Sequence, residues 1–288
     1  MSAISATLPE ARPCPACDSS RSQWAFVVDG FPHVQCQECG SVFVSPLPTE
    51  EVVQATYLDP DYHGEIAGSV ERMRDEARAR ARVMQERGCT RVLEIGCGAG
   101  FFVEALLELG IDAQGVDPGP QAKQAAARGL PIHPIWLEQL EPDRPFDGIA
   151  MFELLEHLPD PVTALQWSQR HTRPGATLAL STPSASGLPA RMLGRRFPMF
   201  CPPNHLELFT RRGLERLLAR GGFRPFRWDS FSNLDHAALK RGFQRFLLGR
   251  SGPAGWVAGH LATAASVPTQ LVDKMGQGTS FEVYAERE

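Results

Sequence analysis

The chain has 288 residues, 43% of them apolar, and a formal net charge of −4. That length accommodates one large domain plus a small module, and the apolar share is enough for a real core. The mildly acidic balance provides no bulk field for nucleic acid, and no run approaches the roughly 18–20 apolar residues of a spanning helix.

Met1 to Arg12 combine neither a basic start nor an apolar stretch, so no export signal is read and a cytoplasmic location is expected. Of seven cysteines, four form Cys14-Pro-Ala-Cys17 and Cys36-Gln-Glu-Cys39, two knuckles separated by 18 residues. That is the spacing of a tetrahedral zinc site, and without an export signal it favours metal over disulfides. Between the knuckles, residues 24–28 and 31–35 flank Asp29-Gly30, a hairpin turn, and residues 41–45 supply a third short strand. The expected module is a zinc ribbon over residues 1–48, too small to fold without its metal. Cys14, Cys17, Cys36 and Cys39 are its expected ligands, and four thiolates leave no open position for catalysis, so the zinc is structural. His33 is read as a surface residue of the ribbon.

Pro46-Leu-Pro48 closes the ribbon, and a helical linker is expected over residues 49–88. Its charges alternate in sign from Glu71 to Arg82, and Gly88 ends it. Such a run reads as a solvated helix packed before the next strand; a substrate-contacting face is the alternative. From Cys89, strand and helix patterns alternate, which implies a parallel sheet with right-handed crossovers. Strands are expected at 91–96, 112–117, 132–135, 148–152, 177–182, 223–230 and 280–285. Helices are expected at 101–109, 120–128, 161–171 and 211–221. A helical insertion is expected at 233–278, as core packing or a lid, because His236, Leu239, Phe243, Phe246 and Leu247 recur every three or four residues.

The first of those strands runs into Gly96-Cys-Gly-Ala-Gly100, and the second ends at Asp117, which follows Gly96 by 21 residues. Alternate glycines let the backbone turn sharply and approach a ligand where a Cβ would intrude. An acidic residue at that spacing reaches the ribose hydroxyls of a nucleoside. Phe101 stands where a dinucleotide fingerprint has its third glycine, and Glu94 puts negative charge beside the turn, which suits a cationic, amino-acid-like ligand better than a pyrophosphate. Ligands of an open parallel sheet bind outside the carboxyl ends of its strands. Glu94 to Phe101, Asp117-Pro118, Trp136-Leu137-Glu138 and Phe152-Glu153 should therefore line one crevice.

With Glu94 in place, Glu-x-Gly-x-Gly-x-Gly resembles the first motif of class I S-adenosylmethionine-dependent methyltransferases. Residues 146–161, containing Glu153-Leu-Leu-Glu156-His157, resemble the fourth-strand signature of the small-molecule, ubiquinone-biosynthesis type. Arg173-Pro-Gly, Thr182-Pro183, residues 202–210 and Gly222-Phe223 match later parts of that group. The resemblance covers residues 89–288 and implies a Rossmann-like α/β fold, in which a seven-stranded, mostly parallel sheet carries helices on both faces and ends in an antiparallel hairpin. The N-terminal zinc-binding β-module would sit beside it.

The resemblance implies S-adenosylmethionine as cofactor. Glu94, Gly96, Cys97, Gly98 and Gly100 would cradle its methionine portion, Asp117 would grip the ribose, and the loop at Leu137 would touch the adenine. Phe101, Pro118, Phe152 and Glu153 complete the cofactor set as residues of the same crevice. His157 and His205 are the candidate proton acceptors, since imidazole takes a proton from a hydroxyl or amine near neutral pH. Glu156 is the candidate partner of His157. Each histidine also has a plain structural reading, as a backbone hydrogen-bonding or loop residue. Cys97 reads as a small spacer, and Cys89 and Cys201 as ordinary thiols.

The expected function is methyl transfer to a small-molecule acceptor, free or carrier-bound, on oxygen first and on carbon or nitrogen next. Methylation of an RNA base is the second reading, because a group of ribosomal-RNA guanine methyltransferases also carries a four-cysteine N-terminal module. Base-modifying enzymes often place an Asn/Asp-Pro-Pro-aromatic motif where this chain has Phe152-Glu-Leu-Leu, and the acidic charge argues the same way. A docking scaffold that has lost activity is the third; the intact Glu94, Gly96, Gly98 and Asp117 speak against it. The acceptor, the role of the ribbon and the oligomeric state stay open.

Overall fold

A computed structural model describes residues 11–59, 70–232 and 271–288. The insertion expected at 233–278 lies, up to residue 270, outside the described residues. Three short strands open the chain: β1 (Ser22–Val28), β2 (Phe31–Cys36) and β3 (Val42–Val44). Two helices follow, α1 (Glu50–Tyr57) and α2 (Val70–Glu86). The alternating part comprises β4 (Arg91–Ile95), α3 (Phe101–Glu108), β5 (Asp112–Val116), α4 (Pro120–Ala127), β6 (Ile132–His133), β7 (Phe146–Phe152), α5 (Pro161–Arg170) and β8 (Thr172–Pro183). Then come α6 (Leu188–Leu193), β9 (Glu207–Leu208), α7 (Arg211–Arg220), β10 (Phe223–Phe231) and β11 (Ser280–Arg287).

The large sheet has seven strands in the order β10-β11-β8-β7-β4-β5-β6. β8 through β6 pair in parallel, whereas β11 runs antiparallel to both β8 and β10. This is the Rossmann-like, mostly parallel architecture expected. Every residue of β4 is buried, as a central parallel strand covered by helices on both faces requires. β6 spans only two residues of the four anticipated. It is the edge strand, and Pro134, which follows it, has no N–H to continue the ladder. β8 is longer than the motif suggested at both ends: Thr172 pairs with Phe146 of β7 across a register shift, and Pro183 pairs with Ser280 of β11.

The small sheet has the order β1-β2-β3-β9, so its fourth strand is supplied from far along the chain. Val42 pairs with Leu208 and Phe43 with Glu207. The hydrophobic core is continuous across this junction: Cys14, Val34 and Phe43 pack in one cluster with Phe209, Leu214, Leu217 and Leu218. Thr210 caps α7 by accepting the Gly213 N–H at 3.0 Å, which turns the helix back along the module. His33 is not the surface residue expected. It is 2% exposed, its ring set 5.1 Å from Phe26 and 5.7 Å from Phe200, because the α6–β9 loop covers that face of the hairpin. Among the described residues, no helix is long and apolar enough to cross a membrane.

Candidate active site

β4 delivers the chain into the glycine turn at the carboxyl end of the sheet. Gly96 has φ +76° and Gly100 φ +81°, conformations that L side chains rarely adopt. A Cβ on Gly96 would meet Leu154 Cδ1 at 2.9 Å, and one on Gly100 would meet Ile132 Cδ1 at 2.7 Å. Asp117, at the end of β5, closes the other side of the turn. Its Oδ2 accepts the Gly98 N–H and the Tyr57 hydroxyl, each at 3.0 Å, and its Oδ1 accepts the Gly119 N–H at 2.6 Å.

The turn opens into a crease with two lobes that share Tyr57, Gly96, Leu154 and His157. One lobe, of about 520 Å³, is polar-walled by Glu94, Asp117, Glu153, His157, Asn204 and His205. The other, of about 800 Å³, is walled largely by apolar side chains, among them Pro118, Ile135, Leu137 and Leu158. Both volumes suit a small organic ligand. Glu94 is 6% exposed and its Oε2 has no hydrogen-bond partner, so burial pushes its carboxyl well above the usual range. Glu153 and Glu156 are raised for the same reason, and for Glu156 the neighbouring Glu153 adds to it. Unpartnered buried carboxyl oxygens at Glu94 and Glu153 make this a wall that favours hydrogen-bond donors and cations.

Two imidazoles meet at the far end of the polar lobe. The rings of His157 and His205 lie 4.8 Å apart at 67°. His157 Nδ1–H donates to the Asn204 carbonyl and His205 Nδ1–H to the Met199 carbonyl, each at 2.8 Å. A carbonyl only accepts, so in the neutral rings these bonds place the lone pair on Nε2. His157 Nε2 is 3.9 Å from Glu156 Oε1, while Glu156 Oε2 accepts from the Thr182 hydroxyl at 2.9 Å. Burial pushes the His205 imidazole down from its ordinary value.

The crease thus gathers Glu94, Gly96, Cys97, Gly98, Phe101, Asp117, Phe152, Glu153, His157 and His205 into one lobe and Pro118 and Leu137 into the other. Gly100 sits one step behind, as the left-handed residue that starts α3, and Glu156 is wholly buried beneath the histidines. The Cys97 thiol turns away from the crease towards Gly115, where an added Cβ would meet the sulfur at 2.6 Å.

Other lining residues carry no local sequence signal. Tyr57 and Asn204 reach the crease from α1 and from the loop before β9, and Asn204 Oδ1 is buried without a partner. The charged helix α2 is solvated on one side only: Arg72, Met73, Glu76, Ala77 and Arg80 line the crease. The Arg80 guanidinium lies 4.1 Å over the Phe152 ring and pairs with Glu282 at 2.8 Å.

The four knuckle cysteines form a second cluster, their sulfurs all within 4.8 Å of one another. Cys14 and Cys39 sulfurs are 3.6 Å apart, and those of Cys17 and Cys36 are 3.5 Å apart. A tetrahedron of thiolates around zinc has edges of about 3.8 Å, so the donor set has the size and chemistry of such a site. The N–H groups of Glu38 and Cys39 point at Cys36 Sγ, at 3.4 and 3.5 Å, as donors that stabilise a thiolate.

A family described as "Methyltransferase domain" matches residues 59–226, more than half of the chain. The chain belongs to this methyltransferase family. It is similar to the ubiquinone biosynthesis O-methyltransferase of Pseudomonas aeruginosa strain UCBPP-PA14, 35% identical over 102 residues that cover 32% of this chain and 44% of that protein. The corresponding protein of Xanthomonas campestris pv. campestris strain B100 is 32% identical over 105 residues, 32% of this chain and 42% of that one. The match therefore spans less than half the length of these curated relatives.

Solved structures share the fold. A didemethyltoxoflavin N1-methyltransferase from Burkholderia thailandensis, crystallised with S-adenosylhomocysteine, aligns with a TM-score of 0.53 at 17% identity, covering 92% of this chain and 99% of that one. A SAM-dependent methyltransferase from Archaeoglobus fulgidus aligns with a TM-score of 0.51 at 21% identity, covering 74% and 94%. The fold is thus that of the class I, S-adenosylmethionine-dependent methyltransferases.

Proposed function

We propose that the protein transfers a methyl group from S-adenosylmethionine to a hydroxyl of a small-molecule acceptor. The observation that carries this reading is the buried carboxyl of Glu94, with Oε2 unpartnered, beside a glycine turn that Asp117 closes, a pairing of acceptor and close-approach backbone that suits an ammonium-bearing nucleoside. When bound, S-adenosylmethionine supplies an electrophilic methyl carbon on a sulfonium. Glu94 and the turn from Gly96 to Phe101 hold the methionine portion, Asp117 accepts from the ribose hydroxyls, and the apolar lobe at Pro118 and Leu137 takes the adenine. Phe152 and Glu153 complete the wall and orient the acceptor side.

His157 and His205 present Nε2 to receive the proton of the acceptor hydroxyl, and Glu156, with Oε1 3.9 Å from His157 Nε2, stands beside the imidazolium that results. In-line placement of the acceptor oxygen supplies much of the barrier reduction. The oxygen preference draws on the curated O-methyltransferase relatives. We also propose that Cys14, Cys17, Cys36 and Cys39 hold a structural zinc, within an organisation of ribbon (1–48), helical linker (49–88) and methyltransferase domain (89–288).

Incubation with methyl-labelled S-adenosylmethionine and a small-molecule extract of the host tests the reading. One metabolite should acquire the label, and alanine at His157 or His205 should slow that transfer; full turnover in both variants rejects the proton-acceptor roles. Folded protein that labels nothing in the extract, and does not bind the cofactor in calorimetry, overturns the assignment.

A further inference from the structure

The N-terminal module meets the histidine end of the crease through an unbroken backbone path. Val44 N–H, on β3, donates to the Leu206 carbonyl at 2.8 Å, and Leu206 N–H donates to the Glu156 carbonyl at 2.7 Å. Leu206 lies between His205 and β9, so Val44 of β3 is one hydrogen bond from the His205 segment and two from the Glu156–His157 segment.

Arg12 fastens the same junction from the other side. Its Nε–H donates to the Val44 carbonyl at 3.1 Å, Nη1–H to the Pro159 carbonyl at 2.9 Å, and Nη2–H to Glu207 Oε1 at 3.0 Å. Its guanidinium lies 5.2 Å over the Phe43 ring, and its own N–H donates to Ser45 Oγ at 3.1 Å. Pro159 and Glu207 each stand two residues after a site histidine. The carbonyl that orients the His205 ring belongs to Met199, and its neighbour Phe200 is packed edge-on against Phe26 of β1 at 4.9 Å. Both anchors of His205 therefore rest on the small sheet.

We propose that the N-terminal β-module is the positioning wall of the acceptor half of the site, with Arg12 and Glu207 as positioning residues that hold the His205 imidazole in its single orientation. A module serving only to complete the core would not direct Arg12 to the carbonyls and carboxylate that flank His157 and His205; the fan of bonds specifies where those segments lie. The functional consequence rests on the reading of His205 as a proton acceptor, whereas the coupling itself does not.

The test uses the full chain with ¹⁵N-labelled histidine, long-range ¹H–¹⁵N spectra, and S-adenosylhomocysteine as the added probe; H205Q assigns the His205 signals. In the wild type His205 should show the Nδ1–H tautomer. In R12A its two nitrogen signals should move towards the tautomer-averaged position, while affinity for S-adenosylhomocysteine changes by less than about twofold. R12K, whose single ammonium cannot span the three acceptors, should restore only part of the wild-type signature, and R21A, which removes an exposed ion pair elsewhere in the module, should leave it unmoved.

The proposal is overturned if folded R12A and E207Q both keep the wild-type His205 signature, or if R12A loses the probe as well, which marks a general collapse of the crease. Should R12A fail to fold, E207Q decides alone: movement of the His205 signals towards the tautomer-averaged position with the probe still bound supports the proposal, and an unmoved signature overturns it. A wild type that does not bind S-adenosylhomocysteine sinks the methyltransferase reading, yet the His205 comparison still decides this one.

Discussion

Glu94 draws its role from burial. A carboxylate with one oxygen sealed and unpartnered is costly to keep, and a cation in the crease would repay it with a charge-assisted hydrogen bond. Glu94→Gln and Asp117→Asn should each weaken S-adenosylhomocysteine binding by at least about tenfold, roughly 1.4 kcal/mol, in titration calorimetry; unchanged affinity in both variants contradicts the assignment. Gly100→Ala places a Cβ 2.7 Å from Ile132 Cδ1 at a φ of +81°. The left-handed conformation alone costs about 1–2 kcal/mol, so calorimetric Tm should fall by several degrees.

Glu207 gives a pH prediction. Burial pushes its carboxyl up from 4.5 to about 8, against the lowering pull of Arg12. A group that holds its proton more tightly folded than unfolded contributes stability fully below the unfolded value and loses it as pH rises through the folded one. Urea denaturation of the wild type, set against Glu207→Gln, should therefore show a stability difference that declines for the wild type between pH 4.5 and about 8. Parallel curves across that window would contradict the assignment.

At the scale of elements, the features legible in the sequence were those that work within one short segment. The glycine turn, Asp117 at its fixed spacing, the two cysteine knuckles and the alternation of strand and helix all follow from local conformation and period, and most described elements fall within a few residues of where the pattern put them, although β8 begins five residues early and α6 and β9 were not expected. What escaped was made by distance. β9 is two residues long and exists because β3 offers it an edge. His33 looked like a hairpin surface residue because Phe200, which covers it, lies far along the chain. Arg12 finds partners 147 and 195 residues away, and α2 turns part of its charge run to the crease, which the sequence allowed only as the alternative to a solvated helix.

The module's metal is the element-scale test. Metal analysis should find one zinc per chain, and Cys36→Ser should lose it together with hydrogen-exchange protection at β3 and β9, since the knuckle at Cys36 sets the register of the hairpin that presents β3. Full protection in metal-free protein would contradict the proposed structural role.

The described residues form two sheets joined by a shared core cluster, arranged so that the carboxyl ends of the parallel strands face helices α1 and α2 on one side and the module-backed histidine loop on the other. The first side offers a buried carboxyl, a glycine turn and an apolar slot; the second offers two oriented imidazoles over a second buried carboxyl. The division matches a reaction in which one partner is held by its charge and sugar while the other gives up a proton. The most direct measurement is calorimetric titration of the full chain with S-adenosylmethionine, with NAD as the competing ligand class. One-to-one binding in the micromolar range, weakened by Glu94→Gln and Asp117→Asn, is the expected result. Heat released by NAD, with none from S-adenosylmethionine, would contradict it.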